Sequence, residues 1–219
     1  MTSSTSNDIA KGLKRKFKQT VFCKTGECLK ADPEHFLEGM VVERTPYKET
    51  YYIWSIIAPT WIDAVSMRLT YGARMGKGRY FEGSSEKIIM AIMEELERDE
   101  TAMRRLEGDE TAPGTFLETC FQCFSREARY VDLSNIRRVF DYGVASVLCE
   151  DFPASVAHLS AFMSMAQRSQ HYMRMCARDI LASIQADDGQ FLSIIADMES
   201  QGKARLPFGV CTSKQSAPG

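Results

Sequence analysis

Residues 40–72, MVVERTPYKETYYIWSIIAPTWIDAVSMRLTYG, contain three runs with strand character, separated by two short breaks that each hold a proline. The last run, Val65–Tyr71, alternates apolar and polar side chains, which is the period-two pattern of a strand with one buried face. Such a strand needs neighbours, and the runs Met40–Thr45 and Tyr51–Ala58 supply them. Proline is tolerated in the breaks because no ladder hydrogen bond is lost there. The pattern therefore predicts a small antiparallel three-stranded meander.

Helical periodicity dominates the rest of the chain. An amphipathic helix with many lysines is predicted at about Asn7–Thr20, and another helix begins at a cap formed by Ser84 or Ser85. The segment Pro153–Gln185 contains neither glycine nor an internal proline. We therefore expect it to form one long helix of about nine turns. A last helix is predicted to end at Gly202.

Together these elements predict an α+β fold, with a small antiparallel three-stranded meander flanked by helices and followed by a helical bundle half. The predicted boundary is the acidic linker Glu107–Gly114. We expect an α+β module over residues 1–108, a helical half over 114–205 packed on it as one interlocked unit, and a tail over 206–219. The segment Phe22–Phe36 contains Gly26, Asp32 and Pro33 and is interpreted as a loop that includes room for one short strand.

Composition narrows the class of protein and its location. The chain has 219 residues, of which 44% are hydrophobic and 26% charged, and its net charge of -2 gives no global attraction to nucleic acid or anionic membranes. No run of about 18 apolar residues is present, so no membrane span is expected. The N-terminal residues lack the apolar core of a secretion signal, and the seven cysteines are an odd number. We expect a cytoplasmic protein with reduced thiols and no disulfides.

Four cysteines could in principle bind zinc. Cys120 and Cys123 form a C-x-x-C pair, which could join Cys23 and Cys28 to supply four thiolates. Cys120, however, falls in the apolar stripe of a phenylalanine-rich segment, and free cysteine is among the most buried residue types. Core thiols are the favoured interpretation, so neither a metal nor a cofactor is predicted.

The glycine-bearing loop Gly72–Gly83 carries three cations, Arg74, Lys77 and Arg79, and leads into a helix N-terminus. Backbone N–H groups at such a position, together with nearby cations, suit a phosphate or carboxylate. The glycine spacing matches neither a Walker A loop nor a dinucleotide fingerprint. A flexible connection is therefore the favoured interpretation of this loop.

No catalytic residue is predicted. The three histidines, His35, His158 and His171, stand in no recognised motif, and a general base would need a nucleophile or carboxylate beside it. Cys149 has the acidic neighbours Glu150 and Asp151, which disfavour a reactive thiolate. These observations favour a protein that is not an enzyme.

The first 110 residues or so resemble small uncharacterised bacterial domains found near polymorphic-toxin and defence genes. The resemblance rests on the N-terminal helix, on an aromatic strand ending in alanine-proline at Tyr52–Pro59, on the strand Leu69–Arg74, and on the acidic helix that follows. It implies a binding module, either a toxin-neutralising immunity protein or a defence-system accessory. It assigns no functional residues.

The leading hypothesis is a non-catalytic interaction protein whose partner is another protein, for example a toxin. The contact residues predicted for it are Tyr51, Arg74, Lys77, Arg79 and Tyr80. Homodimerisation through the helical half is compatible with this hypothesis.

The alternative is a nucleic-acid-binding or nucleotide-responsive regulator. We favour nucleic acid less than a protein as the partner. It would use the basic N-terminal helix and the Gly72–Gly83 loop, through Lys14, Arg15, Lys18, Lys77 and Arg79.

Overall fold

The computed structural model of this protein has an α+β fold of mixed helices and strands. This architecture confirms the predicted fold class. The structure describes residues 5–17, 20–23, 26–30, 35–61, 72–98, 103, 106, 113–118 and 135–205. The strands are β1 (Thr20–Cys23), β2 (Glu27–Lys30), β3 (Phe36–Arg44), β4 (Thr50–Pro59), β5 (Gly72–Arg74) and β6 (Phe81–Glu82). The helices are α1 (Ser6–Lys16), α2 (Ser85–Glu97), α3 (Ile136–Leu148), α4 (Phe152–Met165), α5 (His171–Ala186) and α6 (Phe191–Ala204).

The sheet has six antiparallel strands in the described residues, where the sequence predicted three. Its order is β1-β2-β3-β4-β5, and β6 also pairs with β4. The prediction of a loop over Phe22–Phe36 was wrong, because β1 and β2 form a hairpin in that stretch. Cys28 and Leu29 of β2 are both fully buried, one on each side of the sheet. A strand this short is held by its pairing with β3 rather than by its own propensity.

The predicted strand bounds also shift. The strand expected at Met40 begins four residues earlier at Phe36, and β4 continues through Pro59, where a break was expected. Pro46 lies in the β3–β4 turn, as predicted. The predicted strand Val65–Tyr71 lies outside the described residues, and the first described strand after it is β5.

Two apolar cores lie on opposite faces of the sheet. Alternate residues of β3 and β4 join one core with α1 and α2, whose members include Met40, Val42, Tyr51, Ile53, Ile9, Leu13, Ile88 and Ile92. The residues between them join the second core with the C-terminal helices, whose members include Leu37, Val41, Ile56, Val144, Leu159, Phe162 and Ile180. The sheet therefore carries an apolar layer on each side, as its near-continuous burial from Phe36 to Val42 requires.

Helix α1 begins at a capping box. The Thr5 hydroxyl accepts a hydrogen bond from the Asp8 N–H, and the Asp8 carboxylate accepts from the Thr5 N–H. The helix ends at Lys16, short of the predicted Thr20, because Phe17 is extended and buried and Thr20 already belongs to β1.

The long helix predicted over Pro153–Gln185 was wrong. Helix α4 ends at Met165, Ala166 and Gln167 are extended, and a short 3-10 turn at Arg168–Gln170 leads into α5. A straight helix of that length would span about 50 Å and would carry one end away from the core. The reversal of the chain between α4 and α5 instead places Phe162 and Ile180 in the same core. The Arg174 guanidinium donates to the Ala166 carbonyl oxygen at 2.6 Å, which satisfies a group left free by the end of α4.

The later helix ends agree more closely with prediction. Helix α5 ends at Ala186, and its C-cap Asp187 adopts left-handed geometry (φ 51°), as expected for the break at Asp187–Gly189. Helix α6 continues two residues past the predicted end at Gly202. Residues 113 and 114, assigned to the linker from sequence, are helical. The rest of the linker and the predicted tail 206–219 lie outside the described residues.

Three contacts join the sheet to the C-terminal helices. The Trp61 indole N–H donates to the buried Asp141 carboxylate of α3 at 2.7 Å. His35 Nδ1–H, just before β3, donates to the Glu199 carboxylate of α6, also at 2.7 Å. Gly202 of α6 faces the backbone of Thr60 and Trp61 so closely that a Cβ would collide with it. No helix in the described ranges is long and apolar enough to cross a membrane.

Candidate functional site

Near the β3–β4 turn, the face of the sheet that packs on the C-terminal helices carries two partly buried aromatic side chains. On β4, Ile56 is buried in the second core, while Tyr52 and Trp54, which point to the same face, are only partly buried. Glu43 of β3 lies opposite Tyr52, and Arg74 of β5 lies opposite Trp54. We call these four residues, Glu43, Tyr52, Trp54 and Arg74, the aromatic ledge.

The four side chains of the ledge hold one another in place. The Arg74 guanidinium carbon lies 3.8 Å from the Tyr52 ring centroid and 4.7 Å from the Trp54 ring centroid. Cation–π contacts of this kind contribute about 0.5–1 kcal/mol at exposed sites. The Trp54 indole N–H donates to a Glu43 carboxylate oxygen at 2.7 Å. The ledge is therefore an ordered surface rather than a set of independent exposed side chains.

The β3–β4 turn sets the register that builds the ledge. The hydroxyls of Thr45 and Thr50 hydrogen bond to each other across the turn, and Thr45 also accepts from the Tyr47 N–H at 3.1 Å. Glu49 adopts left-handed geometry (φ 53°), which closes the chain reversal. A slip of one residue would turn Tyr52 and Trp54 to the opposite face of the sheet.

The chemistry of the ledge suits binding. Tyrosine, tryptophan and arginine are the residue types most enriched among the energetically dominant contacts of protein interfaces. Arg74 has no carboxylate partner in the described part of the chain, although its guanidinium is exposed.

The prediction that Tyr51 is a contact residue was wrong. Its side chain has no exposed surface and lies in the core with α1 and α2, and burial raises the pKa of its hydroxyl. The neighbouring Tyr52 points to the opposite face and belongs to the ledge. Sequence reasoning also missed Glu43 and Trp54. Alternation along Tyr51–Ser55 could have separated the two faces once the buried one was known.

The other predicted contact residues lie between β5 and β6. Lys77 is exposed in a 3-10 turn at Gly76–Gly78, with left-handed geometry (φ 57°). Tyr80 is 50% exposed. Arg79 is already paired, since its guanidinium lies 2.5 Å from a Glu95 carboxylate oxygen that also contacts Arg98 at 3.2 Å. Arg74 alone among the predicted residues is part of the ledge.

The loop expected over Gly72–Gly83 is more ordered than predicted, because β5, a 3-10 turn and β6 occupy most of it. Its connection to α2 agrees with the prediction. The Ser84 hydroxyl accepts from the Lys87 N–H and caps the helix.

The candidate zinc ligands are only partly described. Cys28 is buried against α1 and α2, Cys23 ends β1, and Cys120 and Cys123 lie outside the described residues. Within the described ranges, no group of three or more histidine, cysteine, aspartate or glutamate residues is placed to hold a metal ion.

Two other described cysteines carry free thiols that are not activated. Burial and the nearby Asp151 carboxylate raise the pKa of the Cys149 thiol, and burial raises the pKa of the Cys176 thiol. Both shifts reduce the thiolate population at neutral pH.

The three histidines lie on different elements. His35 binds Glu199, His158 packs edge-on against the Tyr142 ring at 5.9 Å, and His171 is exposed at the start of α5. Burial lowers the pKa of His158, although Asp151 acts in the opposite direction. His158 is therefore predominantly neutral at physiological pH.

Comparisons with known proteins add no family assignment. No protein-family model matches the chain, and neither curated proteins nor solved structures yield a match.

Proposed function

We propose that this protein is a non-catalytic protein-interaction module that binds its partner through the aromatic ledge. The observation that carries the proposal is the exposed Arg74 guanidinium, held against two partly buried aromatic rings at 3.8 and 4.7 Å. An ordered surface loses little side-chain entropy on binding, so more of its contact energy contributes to affinity. Tyrosine and tryptophan add large contact area for few rotatable bonds.

The proposed role of this module is either to neutralise a toxin as an immunity protein or to assist a defence system. The support is the sequence resemblance of the N-terminal half, together with the position of the ledge within that same half. On this proposal the partner is a protein, and its binding requires neither a metal nor a cofactor.

A second candidate function is nucleic-acid binding through α1. Its last turn carries three consecutive exposed cations, Lys14, Arg15 and Lys16. Lys18 lies outside the described residues, and Arg79 is neutralised by Glu95. Retention on heparin or single-stranded DNA that weakens steeply with salt would support this function. Equal retention of a Lys14→Ala/Arg15→Ala variant would argue against it.

The experiment that tests the ledge is affinity capture of the tagged protein from its own source organism. The ledge variant is Tyr52→Ala/Arg74→Ala, and the matched control is Met90→Ala. Met90 is 66% exposed on α2, which covers the other face of the sheet. Far-UV circular dichroism and melting curves establish that all three proteins fold.

The proposal predicts a stoichiometric protein partner on the wild type and on Met90→Ala. Truncation of interface anchors costs about 2 kcal/mol or more, which is roughly a 30-fold loss of affinity. The ledge variant should therefore lose the partner. Equal capture by all three proteins, or capture of nucleic acid in place of protein, would overturn the proposal.

A further inference from the structure

We infer that the partner presents an acidic segment to the ledge, with a carboxylate accepting hydrogen bonds from the Arg74 guanidinium. This inference rests on the proposed function and names the chemistry that the same surface recognises. It is carried by the position of Arg74, which lies against two aromatic rings and has no carboxylate within 4.0 Å among the described residues.

Several described arginines already have a carboxylate. Arg79 and Arg98 share Glu95, Arg178 pairs with Asp179 at 2.8 Å, and Arg137 approaches Asp141 at 3.5 Å. Arg74 contacts rings instead, and no described carboxylate lies within 4.0 Å of it. Among the described residues its exposed charge therefore has no acidic partner at short range.

The exposed Arg74 guanidinium presents N–H donors to solvent. The five N–H donors of arginine lie in the plane of the group, along its edge. A planar carboxylate accepts two parallel hydrogen bonds from such an edge. Because Tyr52 and Trp54 already restrict the side chain, less rotamer entropy remains to be lost when the carboxylate binds.

Glu43 favours a protein segment over nucleic acid. Its carboxylate lies beside Trp54 and can accept a further hydrogen bond from a peptide N–H or a lysine, a donor that a phosphate backbone lacks. Arg74 lies over both aromatic rings, so a base that stacked on the same faces would have to displace it. Charge complementarity thus calls for a carboxylate beside a hydrogen-bond donor.

The test is a nuclear magnetic resonance titration of the full chain with defined probes. The acidic probe is acetyl-Gly-Asp-Glu-Asp-Gly-amide, its neutral isostere is acetyl-Gly-Asn-Gln-Asn-Gly-amide, and inorganic phosphate is the competing anion. The Arg74 Nε–H and Trp54 indole N–H signals report on the ledge. The chain contains two tryptophans, so the buried Trp61 indole, bound to Asp141, provides an internal reference.

The acidic peptide should shift the Arg74 and Trp54 signals and leave those of Trp61 and Arg79 in place. The neutral isostere should shift none of them. Arg74→Lys keeps the charge but loses the planar fork, and should weaken peptide binding by about fivefold. Glu43→Gln removes a repulsive charge and should strengthen binding of the acidic peptide.

The inference is overturned if the neutral peptide binds equally well, if phosphate shifts the ledge signals as strongly as the peptide, or if Arg79 responds like Arg74. Failure of the inference can be distinguished from failure of the proposed function. Partner capture that depends on the ledge, without any response to the acidic peptide, would refute the carboxylate inference alone. Peptide binding without ledge-dependent capture would refute the proposed function instead.

Discussion

Gly202→Ala tests how α6 packs on the sheet. A Cβ at this position would lie 2.0 Å from the Thr60 carbonyl oxygen and 2.7 Å from Trp61 Cα. Both are backbone atoms at the end of β4, so no side-chain rotation can relieve the collision. Raising the shorter distance from 2.0 Å to an ordinary contact of 3.4 Å requires α6 to move by about 1.4 Å.

The expected loss of stability has three contributions. Overpacking of a close contact costs about 1–3 kcal/mol. Movement of α6 also weakens the bond between His35 and Glu199, which contributes about 1 kcal/mol. Against these, alanine is the better helix former by about 1 kcal/mol. We therefore expect the free energy of unfolding to fall by about 2 kcal/mol, with a melting temperature lowered by about 4–8 °C for a chain of this size.

The assay is urea unfolding followed by tryptophan fluorescence, with thermal melts as a second measurement. Gly114→Ala is the matched control, because Gly114 is helical and a Cβ there would meet no described atom within 4 Å. That variant should be as stable as wild type or slightly more so. Gly12→Ala should fall between the two, because its Cβ meets only the flexible end of the Ile89 side chain. If Gly202→Ala proved as stable as Gly114→Ala, the close packing of α6 on β4 would be refuted.

Three further predictions concern single side chains. Asp141→Ala removes the acceptor of the buried Trp61 N–H and should lower the free energy of unfolding in urea by about 2–3 kcal/mol, so wild-type stability would contradict that contact. Burial lowers the pKa of His158 in the folded protein, so the unfolded chain binds more protons. The free energy of unfolding should therefore decrease as the pH falls through the ordinary histidine pKa of 6.5 toward the lower pKa of the folded protein. His158→Gln should reduce that loss in unfolding measurements across this pH range, and an unchanged slope would exclude His158 as its cause. Thr5→Ala removes the cap of α1 and should destabilise the protein by about 1 kcal/mol in thermal melts, while Thr5→Ser should retain most of the stability; equal losses in both would argue against the cap.

The sheet shows which strands can be predicted from local sequence patterns and which cannot. The β3–β4 hairpin was predictable because both strands are long and apolar and a proline marks the turn between them. Strands β1 and β2 span four residues each and were missed. Strands of that length carry too little periodicity to be recognised, and they form because they pair with each other and with β3.

The helices also divide into ends that a local signal marks and a break that depends on the whole fold. Ser84 marks the start of α2 through a cap, which is a local signal, and Asp187 marks the end of α5 in the same way. The break between α4 and α5 has no such signal, since neither glycine nor proline is present. The chain reverses there because both apolar stripes are buried in one core, which is a property of the whole fold.

The amino-acid sequence by itself determined the fold class, the β3–β4 hairpin and several helix ends, because periodicity, caps and proline act over a few residues. Only the tertiary structure decided which of two adjacent tyrosines is fully buried and which is partly exposed on the ledge. Tyr51 and Tyr52 have the same chemistry, and strand alternation separates them without saying which face is covered. That choice depends on where α1 and α2 pack, because they bury the face that carries Tyr51. Arg74 likewise meets its two rings only through the pairing of β5 with β4, a contact between residues twenty positions apart in the chain.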